Sequence, residues 1–225
     1  MINTIYIEDE ITDHPRTKKI IERFPSAIII SCTRYTEIFN RKSQNFRLQK
    51  KNPALILAKK HKGMVLPTPK HYGIGAKYNY YFSHMLNCIY DCRYCFLQGM
   101  FRSAHYILFV NYEDFIDEIN STLNKHASDN VHFFSGYDCD SLALDSVSNF
   151  ISDFLPFFEN HQNALIELRT KSTQIKSLLQ RSPISNCIVA FSFTPNEIAK
   201  VLEHKTPSVS KRLEAIIELQ KAGWK

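Results

Sequence analysis

From Tyr78 onward, short apolar runs of strand length alternate with stretches whose apolar residues recur at helical spacing. This alternation limits the fold more than any other feature of the chain. Residues 78–82, 131–135, 164–169 and 187–193 read as buried strands. Between them, residues 113–125 place Phe115, Ile116, Ile119 and Leu123 on one helical face. Residues 146–160 do the same for Val147, Phe150, Ile151, Phe154 and Phe158. Residues 175–179 and 198–202 continue the pattern. The last helix, 208–222, is expected to turn Val209, Leu213, Ile216 and Ile217 inward, with Gly223 as its C-terminal stop. Strands separated by helices pair in parallel through right-handed crossovers. Four such units do not close an eight-stranded barrel, so the expectation is a partial parallel (βα) barrel. The chain stops at Ala222-Gly223-Trp224-Lys225, where another strand is expected, and the barrel therefore reads as truncated.

The segment before residue 77 reads as a small α/β unit. Strand-like runs at 4–7 and 27–31 flank a helix-compatible stretch, 16–24, with Ile20, Ile21 and Phe24 on one side. A polar, basic stretch runs from Arg41 to Lys62. Gly63, Pro67, Pro69, Gly73 and Gly75 then punctuate the chain. These breakers set the expected division: a basic N-terminal domain over 1–76 and the partial barrel over 77–225.

Charge is unevenly spread. The first 77 residues hold 15 Lys and Arg against 6 Asp and Glu, although the net charge of the whole chain is only +6. Such a surface attracts a polyanion such as DNA or RNA, and otherwise serves as a solvated face. No run approaches eighteen consecutive apolar residues, so no membrane span is expected. The start, Met1-Ile2-Asn3-Thr4-Ile5-Tyr6, lacks the basic stretch and cleavage site of a signal peptide. The expected compartment is the cytoplasm.

Six cysteines occur, and Cys88, Cys92 and Cys95 crowd into one C-x3-C-x2-C segment. With no secretion signal, reduced metal-ligating thiols fit better than disulfides. Three thiolates from one loop can hold an iron–sulfur cluster and leave one iron open to a ligand. A structural zinc site recruiting Cys139, Cys187 or a histidine is the competing reading, since zinc takes a closed four-ligand shell. A ferredoxin-type carrier needs a fourth cysteine at another spacing.

The C-x3-C-x2-C spacing, with aromatic Tyr94 before the last cysteine, resembles the signature of the radical S-adenosylmethionine (SAM) superfamily. The run Cys92-Arg93-Tyr94-Cys95-Phe96-Leu97-Gln98 followed by residues 106–111 is similar, within that superfamily, to the spore photoproduct lyase family. So are Asp140-Ser141-Leu142-Ala143-Leu144-Asp145, Thr170-Lys171-Ser172, Phe191-Ser192-Phe193, Arg212-Leu213-Glu214-Ala215 and Lys221-Ala222-Gly223-Trp224. The resemblance covers roughly residues 75–225. It implies that Cys88, Cys92 and Cys95 ligate a 4Fe–4S cluster, that SAM chelates the open iron, and that Tyr94 lies near the adenine. It further implies that Lys171 meets the SAM carboxylate and Ser192 lies at the same end of SAM. The family's hydrogen-donating cysteine follows the strand at 131–135. Counting without gaps from Lys171 and Ser192 places that position at Tyr137, with Cys139 two residues on. In an extended backbone residues two apart share a face, so either is a candidate hydrogen donor.

The expected function is therefore a radical SAM enzyme that repairs an ultraviolet-damaged DNA base, with the basic first third gripping the backbone and an unidentified donor supplying electrons. The rivals are radical chemistry on a peptide or small molecule, and a non-catalytic nucleic-acid-binding module with a structural metal.

Overall fold

A computed structural model describes residues 2–225. Its strands are β1 (Thr4–Glu8), β2 (Ile28–Cys32), β3 (Leu55–Ala58), β4 (Val65–Pro67), β5 (Tyr78–Phe82), β6 (Met85–Leu86), β7 (Asp91–Cys92), β8 (Tyr106–Phe109), β9 (Val131–Ser135), β10 (Ala164–Thr170), β11 (Cys187–Phe191) and β12 (Glu203–His204). Two five-stranded sheets form, in the orders β2-β1-β3-β8-β6 and β11-β10-β9-β5-β4. In the second sheet β5, β9, β10 and β11 run parallel, and β4 is an antiparallel edge. These are the four strand–helix units expected from the alternation, and they form an open parallel wall. The row Tyr80–Phe133–Ile166–Cys187 crosses that wall in register. The carbonyl of Lys225 accepts a hydrogen bond of 2.8 Å from Val189 N–H, so the last residue lies along the outer edge of β11.

The stretch 41–62 departs from expectation. It is not a continuous polar surface, because β3 runs through it with Leu55, Ile56, Leu57 and Ala58 all fully buried. β3 sits at the centre of the first sheet, paired to β1 and to β8. Charged residues on both sides masked a run of only four apolar residues. β8 and β6 come from beyond residue 77 and complete the first sheet, whereas β4 comes from before it and edges the second. Hydrogen bonding therefore crosses the 76/77 position in both directions.

The sheets share an aromatic core. Phe82 of β5 stacks on Phe154 with centroids 5.3 Å apart, and Phe82 and Phe109 each lie 6.4 Å from Phe115. Phe115, Phe150, Phe154 and Phe158 are fully buried. Burying each such ring stabilises the fold by about 1.5–3 kcal/mol. The helical stretch at 146–160 is two helices, Asp145–Ser148 and Phe150–Glu159, broken at Asn149 in the left-handed region with φ 52°. Asn tolerates that conformation better than most residues, and the Asp145 carboxylate accepts from Ile151 N–H across the break.

The last helix, Val209–Lys221, shows a second departure. Its buried residues are Arg212, Ala215 and Leu219, while Leu213 and Ile217 are exposed. The inward face is set by the ion pair of Arg212 with buried Glu203, which holds the helix rotated away from the face that apolar content alone selects.

Candidate active site

The parallel strands deliver their C-terminal ends to one place, where open α/β sheets bind ligands. Beyond β5 comes the cysteine loop, beyond β9 the turn at 136–140, beyond β10 Lys171, and beyond β11 Ser192. All eight residues singled out in the sequence line one cavity of about 480 Å³: Cys88, Cys92, Tyr94, Cys95, Tyr137, Cys139, Lys171 and Ser192. That volume suits a drug-sized ligand.

The turn after β9 corrects one expectation. The backbone from Gly136 to Asp140 is not extended, because Cys139 N–H bonds back to the Gly136 carbonyl. Tyr137 and Cys139 nevertheless both reach the cavity. Gly136 has φ 78°, and a Cβ there would lie 2.6 Å from Ser141 Oγ, so only glycine permits the turn. Asp140 fixes its far end. One carboxylate oxygen accepts from Leu142 N–H, Ala143 N–H and Thr170 Oγ1, and the other accepts from Lys171 N–H at 2.7 Å. The turn after β9 is thereby locked to the end of β10. Tyr137 stands 4.4 Å from the Tyr81 ring, and Phe96 and Tyr72 lie about 6 Å away.

The cysteine loop is bound on two sides. Cys92 pairs with Glu203 through the β7–β12 ladder, and Arg93 N–H donates to the Leu202 carbonyl. On the other side, Lys50 of helix Phe46–Lys51 bonds the Asp91 carboxylate and the Gln98 side chain. Burial drives the Cys88 thiol well above its ordinary range, and neighbouring Asp140 adds to this. Burial likewise pushes Cys92 up to about 11, while the nearby Lys171 ammonium opposes it. A bound metal reverses such shifts by taking the thiolate directly.

A family model described as spore photoproduct lyase matches residues 1–225. The chain belongs to the spore photoproduct lyase family. It is 22% identical to the spore photoproduct lyase of Bacillus subtilis (strain 168) over 98% of its own length and 64% of that protein's. It is also 22% identical to the lyase of Clostridium acetobutylicum over 65% of its length and 44% of that relative's. Among solved structures, a double mutant of spore photoproduct lyase with bound AdoMet and dinucleoside spore photoproduct matches with a TM-score of 0.86 and 19% identity. That match covers all of this chain and 66% of the other. The chain thus spans about two thirds or less of the length of these relatives.

The residues fit the radical SAM cofactors of this family. Among the described residues no three His, Cys, Asp or Glu side chains converge as a single-ion site requires. A cuboidal cluster instead takes each thiolate on a separate iron, and three cysteines spaced around one cavity suit that division. All six cysteines of the chain are free of disulfides. Lys171 adds a cation whose nearest carboxylate oxygen is 3.8 Å away, on Glu203. Two residues that sequence reasoning missed tie this end together, Glu203 and Arg212, which pair at 2.5 Å with their side chains almost wholly buried. Glu203 stands on a two-residue strand, and Arg212 stands among the other charges of its helix, so no local pattern marks either as buried.

Proposed function

We propose that this chain is a radical SAM enzyme that acts on a photodamaged DNA base. The observation that carries the reading is that three cysteines from one loop share a single cavity with Lys171, Ser192 and Tyr94 at the C-terminal ends of four parallel strands. Cys88, Cys92 and Cys95 would hold the cluster. The chemistry supplied by a bound 4Fe–4S cluster with SAM is one-electron cleavage to methionine and a 5′-deoxyadenosyl radical. Lys171 binds the SAM carboxylate by a charge-assisted contact, Ser192 lies beside it, and Tyr94 offers its half-exposed ring to the adenine.

The substrate side is supported by a second hollow that shares Tyr72, Phe96, Tyr137 and Arg169 with the first. Aromatic faces stack on unpaired bases at about 1–3 kcal/mol each, and a lesion has to leave its stack to reach buried chemistry. Tyr137 and Cys139 are the candidate hydrogen donors to the product radical. Exposed Arg47 and Lys51 stand on the helix whose Phe46 and Lys50 line the cavity, so part of the basic first third lies at its mouth. Lys50 and Lys60 are unsuited to phosphate, the first being bound to Asp91 and the second packed over Phe109 and Phe115. Among the described residues no helix is long and apolar enough to cross a membrane. The proposed compartment is the cytoplasm, and the electron donor is unidentified.

The test is anaerobic cluster reconstitution followed by SAM cleavage, with and without ultraviolet-irradiated DNA. Cleavage that irradiated DNA stimulates is expected. SAM cleavage indifferent to DNA would move the substrate to a peptide or small molecule, and a colourless protein without iron would end the radical reading.

A further inference from the structure

We propose that Glu203 and Arg212 form a buried positioning pair that sets how strongly Lys171 holds a ligand carboxylate; this rests on the SAM reading above. Every cofactor candidate beyond the cysteines touches this pair. Tyr94 OH donates to Glu203 Oε1, as does Thr194 Oγ1 at 2.8 Å. Lys171 Nζ lies 3.8 Å from the same oxygen. Arg212 donates to Glu203 Oε2 at 2.5 Å and, through its other terminal nitrogen, to the Ser192 carbonyl at 2.7 Å. Glu203 is itself placed by β12, which pairs it with Cys92. One carboxylate therefore joins the cysteine loop, the end of β10, the segment after β11 and the last helix.

The charges in this knot do not balance. Two cations, Lys171 and Arg212, face one anion, Glu203. Arg212 has the close contact, and two hydroxyls occupy the oxygen nearest Lys171. The ammonium is left beyond hydrogen-bond length, with its side chain 17% exposed and its charge 5.7 Å from the Tyr94 ring. The ammonium faces the cavity without a close acceptor, and one further carboxylate there completes the set as two cations with two anions. Glu203 is then both the group that orients Tyr94 and the internal competitor that tempers Lys171. Arg212 keeps Glu203 from capturing Lys171 outright.

This arrangement makes opposite predictions for its two members. In Glu203→Gln the amide oxygen can still accept from the hydroxyls, but the competing charge is gone. In Arg212→Gln the freed carboxylate closes on Lys171. The experiment measures equilibrium binding of SAM and of decarboxylated SAM to anaerobically reconstituted protein matched in iron content, and takes the ratio of the two affinities. Relative to wild type, Glu203→Gln is expected to raise that ratio about tenfold and Arg212→Gln to lower it about tenfold, each corresponding to about 1.4 kcal/mol. The double variant should match Glu203→Gln, because Arg212 acts on Lys171 only through the carboxylate that is then absent. Should Arg212→Gln fail to fold, Glu203→Gln and the double variant still decide the matter. A purely structural pair would weaken both ligands equally, so ratios unchanged from wild type, or shifted the same way in both single variants, would overturn the inference while leaving the SAM reading intact. If wild-type protein binds no SAM, the cofactor reading fails and takes this inference with it.

Discussion

Stability at acid pH should depend on one buried histidine. His84 sits where β5 gives way to β6, four residues before Cys88, and is 1% exposed. Its ring lies 3.9 Å from that of Phe150, nearly parallel to it, and its Nδ1 has no hydrogen-bond partner among the described residues. Burial, with the Lys60 ammonium nearby, lowers its pKa from 6.5 to about 3. The unfolded chain therefore takes up a proton near pH 6.5, and the folded chain refuses it until about pH 3. The unfolded state binds more protons across that window, so stability is fully present above the window and is lost as pH falls through it. From RT ln(1 + 10^(pKa − pH)), the loss by about pH 5 is about 2 kcal/mol. Substituting His84→Phe keeps the stack on Phe150 and removes the titration. Any packing penalty of the larger ring is the same at both pH values, and other titrating groups cancel between the two proteins. Urea unfolding at about pH 7.5 and about pH 5 should show wild type losing about 2 kcal/mol more than the variant. Equal losses would refute the assignment of a neutral, buried His84.

Three further outcomes are expected. Replacing Cys88, Cys92 or Cys95 singly with Ala should abolish the cluster's electron paramagnetic resonance signal and lower bound iron, and a variant that keeps both would show that the replaced thiol is no ligand. Lys171→Ala should weaken SAM binding by about 1.5–3 kcal/mol, or roughly 10- to 150-fold, measured by equilibrium dialysis; unchanged affinity would remove Lys171 from the site. Changing exposed Arg41, Lys42, Arg47 and Lys51 together to Gln should flatten the salt dependence of DNA binding by about 0.9 in logarithmic slope for each phosphate that is no longer neutralised, and an unaltered slope would place the DNA elsewhere.

The sequence by itself determined what is local. Period-two and period-3.6 apolar patterns are written residue by residue, so the four parallel strands and most of the inward helix faces are legible in the order of the amino acids alone. The cysteine loop is legible for the same reason, since three cysteines within one tight segment need no tertiary contact to be seen together. The order in which strands from both sides of residue 77 assemble into two sheets was a matter for the tertiary structure. β3 escaped because four apolar residues among lysines carry too weak a pattern, and only its neighbours β1 and β8 bury it on both edges. The turn at 136–140 depended on a glycine at positive φ whose missing Cβ leaves room for Ser141, a proximity that residue spacing does not encode. The last helix is the clearest case. Hydrophobic periodicity points Leu213 and Ile217 inward, yet Arg212 is inside because Glu203 is there to meet it. A buried ion pair has no apolar signature. Each partner alone reads as a surface residue, and only the fold that desolvates both together brings them into contact.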